Sequence, residues 1–259
     1  QGDLGDSLNT KRPVIDDVKD FLPATLELVL FSSVFIVLFA VLFGRIATRY
    51  RNRWPDTVIR VCAYIGVAMP GFVLATLFVL VFGAQGTSVS VLGRLTTGIT
   101  VERVTGFMLI DTLLAGDLYA FKDAFFHLLL PALALACAPM FSEARIIRSA
   151  MLDNMNKDYL IAHKGYGIPN SLVMRKYLLK PSLIPAISTL GLDIAALAGN
   201  AFLVEMIFAW PGISRYGTQA ILNKDLNAIS AVILIFGILF IIINIIVDVV
   251  VSILDPRIR

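Results

Sequence analysis

Residues 158–185 read DYLIAHKGYGIPNSLVMRKYLLKPSLIP, a charged stretch punctuated by Gly and Pro that separates two intensely apolar segments. Membrane-spanning helices are commonly joined by short loops, so a long basic excursion with helical patterning of its own predicts a docking element for something outside the bilayer. Its first part, NKDYLIAHKGY at residues 156–166, predicts a short helix with Tyr159, Leu160 and Ala162 among polar neighbours. Gly165 and Gly167 allow the backbone to reverse, and Pro169 prevents simple continuation. A second helix is predicted from about Ser171, with Met174, Tyr177 and Leu178 at i, i+3 and i+4, and with Arg175, Lys176 and Lys180 available to lipid phosphates or an acidic partner. A merely solvated loop is the plain alternative, but such a loop seldom carries two punctuated amphipathic helices.

On either side the chain is too apolar for an ordinary soluble domain. Hydrophobic residues make up 58% of the 259 and charged residues 16%, which places the chain in a bilayer. Five segments approach the roughly 20 apolar residues that a helical crossing needs: 26–46, 58–82, 125–145, 183–208 and 228–254. They lack polar alternation, so barrel strands are excluded and the fold class is an all-α integral membrane protein of about five spans.

Basic residues near the helix ends set the orientation. Arg45, Arg49, Arg51, Arg53 and Arg60, opposed by Asp56, mark the connection after the first span as cytoplasmic. Arg145, Arg148, Lys157, Lys164, Arg175, Lys176 and Lys180, against Glu143, Asp153 and Asp158, do the same for the long insertion. Arg257 and Arg259 put the C-terminus on that side as well. The outer side then receives residues 83–124 and 209–227 and everything before the first span.

Two regions divide the chain: an extracytoplasmic segment, 1–22, and a transmembrane domain, 23–259, which includes the outer connection 83–124 and the cytoplasmic loop 153–182. In the first, Val14, Ile15, Val18, Phe21 and Leu22 recur at helical spacing opposite Asp16, Asp17, Lys19 and Asp20. This predicts an amphipathic helix along the outer surface, with Pro23 turning the chain into the membrane. QGDLGDSLNTKR contains no export signal, so a preceding segment is expected. In the outer connection, Gly86, Gly93 and Gly98 predict loop, followed by a short helix over about 107–118 on the headgroups.

Within the spans, Asp193, Asn200, Asn244 and Asp248 are expected to face other helices or a water-filled route, since an acid near the bilayer centre costs about 2.5 to 3.5 kcal/mol on insertion scales. Helix-to-helix hydrogen bonding is as good an explanation as a polar pathway wall. Gly191, Ala195, Ala196, Ala198 and Gly199 offer small surfaces for close packing, most simply at a subunit interface. Trp210 suits an interfacial anchor, and Pro211-Gly212 suits a turn that can reach a partner. Cys62 and Cys137 are expected to be small buried hydrophobes, and no metal-ligand spacing or phosphate-cradling glycine loop accompanies them. The small net charge of +3 gives no indication of nucleic-acid binding.

The insertion also resembles the cytoplasmic "EAA" loop of the membrane subunits of binding-protein-dependent ABC importers, in which a Glu-Ala-Ala triplet precedes a Gly. Taking Gly167 as that Gly places Ile161, Ala162 and His163 in the triplet, and Ala162 alone matches. Further segments are similar to the dipeptide/oligopeptide/nickel subgroup: Asp158-Tyr159, LIP at 183–185, GLDIAALAGNAFLVEMIFAWPGISR at 191–215, LDPRIR at 254–259, and GDLGDS, RPV and LPATLEL near the start. Members of that subgroup ordinarily carry a further helix upstream, which would give six spans and an inside start.

The resemblance implies a type I ABC importer transmembrane domain in a prokaryotic cytoplasmic (inner) membrane, with no catalytic residues or metal site of its own. The implied partners are a second permease subunit, most simply in a heterodimer, two ATPase subunits that hold the ATP and Mg, an extracytoplasmic substrate-binding protein and membrane lipid, but no nucleic acid. ATPase coupling would fall to Asp158, Tyr159, Ala162, His163, Lys164 and Gly167, with His163 an interface contact rather than a pH sensor. Contact at the outer mouth would fall to Glu205, Trp210, Pro211, Gly212 and Arg215, and Asp193, Asn200 and Asn244 would line the pathway or a helix interface. Peptides are the expected cargo, and nickel or another small solute is the alternative. A secondary transporter should show internal repeats or broken helices near the midplane. An intramembrane enzyme should show convergent catalytic groups, whereas His127 and His163 are predicted at different depths.

Overall fold

The computed structural model describes residues 4–83 and 91–254. Gly86 in the outer connection and Arg257 and Arg259 at the C-terminus lie outside the described residues. Among the described residues every regular element is helical, apart from one isolated bridge between Asp6 and Pro13. Four helices are long and apolar enough to cross a membrane: α1 (Val14–Arg49), α5 (Leu118–Asn154), α9 (Ile184–Ile207) and α11 (Leu226–Leu254). The predicted second span is divided into α2 (Trp54–Ala68) and α3 (Gly71–Gly83), which make a fifth crossing only if counted together as one broken span. The break has a local cause: Met69 precedes Pro70 and is held in extended backbone, φ −94° and ψ 117°, the region that a following proline ring favours.

A second correction concerns Pro23. It lies inside α1, which runs unbroken for 36 residues, so the amphipathic start and the first span form one rod. A proline in a helix lacks the N–H that would bond the carbonyl four residues earlier, here that of Lys19. The Arg103 guanidinium donates to the Lys19 carbonyl at 2.7 Å and to the Asp20 carbonyl at 3.0 Å, replacing the missing donor. Gly106, at φ +84°, lets this loop close on the proline, since a Cβ there would lie 2.9 Å from the Pro23 ring. The amphipathic face is not spread on headgroups either. Val14 and Val18 are buried with Ile213, Tyr216, Ala220, Ala228 and Val232.

Contacts divide the chain into two compact units, Gln1–Ser33 with Pro70–Ala136 and Ala195–Ile241, and Val34–Met69 with Cys137–Ile194 and Ile242–Arg259. The first holds the outer connection, with α4 (Met108–Leu114), shorter than predicted, and α10 (Ile213–Leu222). The second holds the charged insertion. Its α6 (Asp158–Gly165) is followed by α7 (Asn170–Leu172), which runs on through a π-helical turn, Val173–Leu178, into α8 (Leu179–Ser182). At 36 and 37 residues, α1 and α5 exceed the roughly 20 residues needed to cross a bilayer, so each has turns to spare for these end structures. Cys62 and Cys137 are free thiols and half-buried.

Candidate functional site

The insertion is an exposed helix standing on a small apolar base. Leu160 of α6 is 2% exposed and packs with Ile147 and Met151 of α5, Ala40 of α1, and Val173 and Leu178 of the π turn. Around that one inward residue, Asp158, Tyr159, Ile161, Ala162 and Tyr166 are exposed, Tyr166 by 86%. Partial burial pushes the Tyr159 phenol up. Gly167 follows with φ +73° and no atom within 4 Å of where a Cβ would be. It is therefore required for its left-handed backbone and not for space.

His163 is half-buried, its ring 4.0 Å from that of Tyr177 and its Nδ1 paired with the Tyr159 carbonyl. It braces the hairpin while keeping part of its ring exposed. The Lys164 side chain lies outside the described residues. Ile161 and Tyr166 are exposed beside these residues but were not among the expected contacts, although Ile161 occupies the first triplet position and Tyr166 stands between two glycines.

The base is clamped to the first two helices. Asp56 is fully buried and receives both Nε and Nη2 of Arg148, at 2.7 and 2.8 Å, and the Asn52 amide at 3.0 Å. Asn154 Nδ2 donates to Ser182 Oγ at 3.0 Å, tying the end of α5 to α8. Glu143, counted in the sequence as a loop charge, is 1% exposed and lies beside Asp193.

The outer candidates form a different kind of structure. The Glu205 carboxylate is wholly buried, accepting from Thr25 Oγ1 at 2.6 Å and from the Arg215 amide at 3.0 Å. Thr25 Oγ1 in turn accepts the Ile213 amide at 2.8 Å. The N-terminus of α10 is thus capped from a distance, because Gly212 at the cap position has no side chain to do it. A Cβ on Gly212 would lie 2.3 Å from Glu205 Oε2, so the glycine makes room for the carboxylate. Trp210 is 1% exposed and its indole N–H donates to the Ala24 carbonyl at 2.9 Å. Glu205, Trp210 and Gly212 therefore build the knot from inside, which corrects their expected role as outer contacts. Pro211 and Arg215 are half-buried.

Neighbouring latches extend this knot. Arg94 pairs with Glu27 and stacks beside Trp210, and Glu27 also accepts the Leu109 amide at 2.8 Å. The Asp225 carboxylate accepts Ser7 Oγ at 2.6 Å and the Leu8 amide at 2.8 Å. Burial opposes ionisation of Asp225, but the Ser7 hydroxyl and the amides of Ala228, Asn9 and Leu8 prevail and hold it below the usual carboxylate range. Asp111 is likewise held low, its burial outweighed by Thr105 and nearby amides. Burial, then Asp17, pushes the Tyr216 phenol up, keeping it protonated as the donor to Asp17 Oδ2 at 2.9 Å.

In the spans, Asn200 is exposed on α9 with Leu192, Ala196, Gly199 and Leu203, while Asp193 and Asn244 are half-buried and Asp248 is exposed. Gly191 does not serve an outside surface as expected, because a Cβ there would meet Val247 of α11 at 2.2 Å. Ala195 and Ala198 are also buried within the chain.

Residues 40–259 match the family described as binding-protein-dependent transport system inner membrane component. The chain belongs to this family. The permease is 35% identical to the dipeptide transport system permease protein DppB of Alkalihalophilus pseudofirmus, over 100% of this chain and 78% of that protein. It is 36% identical to the probable D,D-dipeptide transport system permease protein DdpB of Escherichia coli K12, over 99% of this chain and 76% of that protein. Its fold is that of a solved inward-facing MetNI methionine ABC transporter chain, with a TM-score of 0.65 at 15% identity, covering 90% of this chain and 93% of that one. The permease is accordingly a membrane-embedded transport component of an ABC importer, and the resemblance read from its motifs holds over its full length.

Proposed function

We propose that this permease forms half of the translocation pathway of an ATP-driven importer of short peptides, and that α6 is the helix gripped by an ATPase subunit. The observation that carries this is the construction of α6: Leu160 is buried and joins it to α5 and α1, while Tyr159, Ile161 and the adjoining Tyr166 are exposed. Displacing such a helix moves the long rods beneath it, because its hydrogen-bonded backbone transmits a shift that a loose loop would absorb. Asp158, Tyr159, Ile161, Ala162 and Tyr166 make the contact, His163 supports it and Gly167 returns the chain.

In this reading the permease works in the prokaryotic cytoplasmic membrane with α6 and the C-terminus inside. Its partners are a second permease subunit, two ATPase subunits carrying ATP and Mg, and an outer binding protein meeting the region of Pro211 and Arg215. The exposed face of α9 bearing Ala196, Gly199 and Asn200 meets the second permease or the pathway. Peptide cargo is supported by the dipeptide permeases it resembles at 35 and 36% identity. The test is uptake into proteoliposomes holding the assembled complex. Dipeptide accumulation should require ATP inside and the binding protein outside. Uptake of nickel in place of peptide would overturn the cargo, and uptake driven by an ion gradient without ATP would overturn the mechanism.

A further inference from the structure

A cavity of about 1020 Å³ opens where α1 ends, lined by Arg45, Arg49, Trp54, Met151, Met174 and Arg175 among others. Within the same compact unit Arg60 and Arg148 share Asp56 as their ion-pair partner. Arg45, Arg49 and Arg175 have no ion-pair partner among the described residues, although all three line one space. Like charges gathered around a cavity without a counter-charge raise the local potential and favour an anion.

The approach to the cavity specifies the rest of that ligand. Leu38, Leu42, Arg45 and Arg49 follow one another at spacings of 4, 3 and 4 and are all exposed, so they form one stripe along α1 that is apolar towards the membrane interior and cationic at its end. Trp54, 77% exposed, stands at the cationic end, where amphipathic rings occupy the headgroup layer. A free phosphate would use the arginines and leave the leucines idle. An acidic protein segment would not follow the stripe into the hydrocarbon. A molecule with an anionic head and an apolar tail uses all of it.

The geometry points to a binding site for an anionic phospholipid, its phosphate among Arg45, Arg49 and Arg175 and an acyl chain along Leu42 and Leu38. The site is separate from the ATPase-facing surface of α6 and independent of which solute is carried.

The test is native mass spectrometry of the assembled complex released from nanodiscs of mixed dioleoyl phosphatidylglycerol and dioleoyl phosphatidylcholine. About one phosphatidylglycerol per permease chain should remain bound. The combined Arg45→Gln, Arg49→Gln and Arg175→Gln variant should bind it roughly a hundredfold more weakly, since each basic residue near an anionic surface contributes about fivefold. The corresponding triple Lys variant, which keeps the charge, should retain most binding and shows whether loss in the Gln variant reflects misfolding. Equal retention of phosphatidylcholine, or displacement of the lipid by inorganic phosphate, would overturn the proposal. So would unchanged lipid retention in a Gln variant that has lost its ATPase subunits, which would assign the arginines to a protein contact.

Discussion

The knot around Glu205 and the insertion that bears α6 are both charged, Gly-bearing interruptions between apolar helices, yet they are built to opposite ends. In the knot the conspicuous residues turn inward: Glu205, Trp210, Thr25 and Asp225 are buried, and each of these four has a named hydrogen-bond partner. In the insertion most of them turn outward, and among the described side chains of α6 Leu160 is the one sunk into the apolar base, with His163 half-buried beside it. Buried polar groups that are fully satisfied rigidify a region, while exposed ones leave it free to be engaged. The same sequence vocabulary of Gly, Pro, aromatic and acid therefore marks a closed joint in one place and an exposed helix in the other.

The largest effect should come from breaking the knot. Glu205→Ala strands the Thr25 hydroxyl and the Arg215 amide in a buried site, at about 1–3 kcal/mol for each group left unpaired. Thermal unfolding of the purified complex should move down by several degrees, with ATPase coupling unchanged in the fraction that stays folded. Disturbing the exposed helix should do the reverse. Gly167→Val forces a β-branched residue to φ +73°, a local strain of about 1–3 kcal/mol that falls on the turn behind α6. Peptide uptake per ATP hydrolysed should fall at least severalfold while the melting temperature drops less than in Glu205→Ala, and undiminished uptake would sink the coupling assignment.

A sharper contrast comes from pH. Asp225 has a lowered folded pKa, so its stabilising contribution is complete above the unfolded carboxylate value near 4 and is lost as pH falls through the folded value. Asp225→Asn should lower stability at pH 7 and flatten the acid limb of the stability profile below about pH 4. Wild type and variant losing stability in parallel there would contradict the nest around Asp225. The smallest effect is expected from Arg103→Ala, which leaves the Lys19 carbonyl opposite Pro23 to water at the partly exposed end of α1. A loss of about 1 kcal/mol should appear as faster hydrogen exchange in the first turns of α1 and nowhere else.

These contrasts also show what the sequence could reveal. Apolar runs of bilayer length are set by local composition, so the spans at α1, α5, α9 and α11 were legible, as was the left-handed turn at Gly167, which Gly alone adopts without strain. The unbroken α1 was not legible. Whether Pro23 ends a helix depended on a guanidinium from Arg103, far along the chain. Trp210 was misplaced for a similar reason: an aromatic beside Pro-Gly suits a headgroup layer equally well, and only the Ala24 carbonyl within reach of its indole shows that it is inside. Glu205 next to Gly212 did carry a usable signal, since a glycine at a helix cap with an acid seven residues earlier suits a cap supplied from outside the turn. In the second helix of the insertion, Met174, Tyr177 and Leu178 were read at one spacing and all three pack in or against the apolar base, while Val173, five residues before Leu178, joins them there through the π turn that the spacing could not show.

That turn limits how the segment can change over time. Leu179 donates to the Met174 carbonyl, five residues back, so the winding holds one residue more than an α-helix would use. Deleting one residue from 173–178 would restore ordinary winding with the flanking turns keeping their facing, because the wide turn absorbs the extra residue, whereas deleting a second would rotate everything before it by about 100° relative to α8. Leu160 would then lose its seat against the apolar base. Substitutions can accumulate along this strip of chain, but it can shed one residue and no more without turning α6 away from that base.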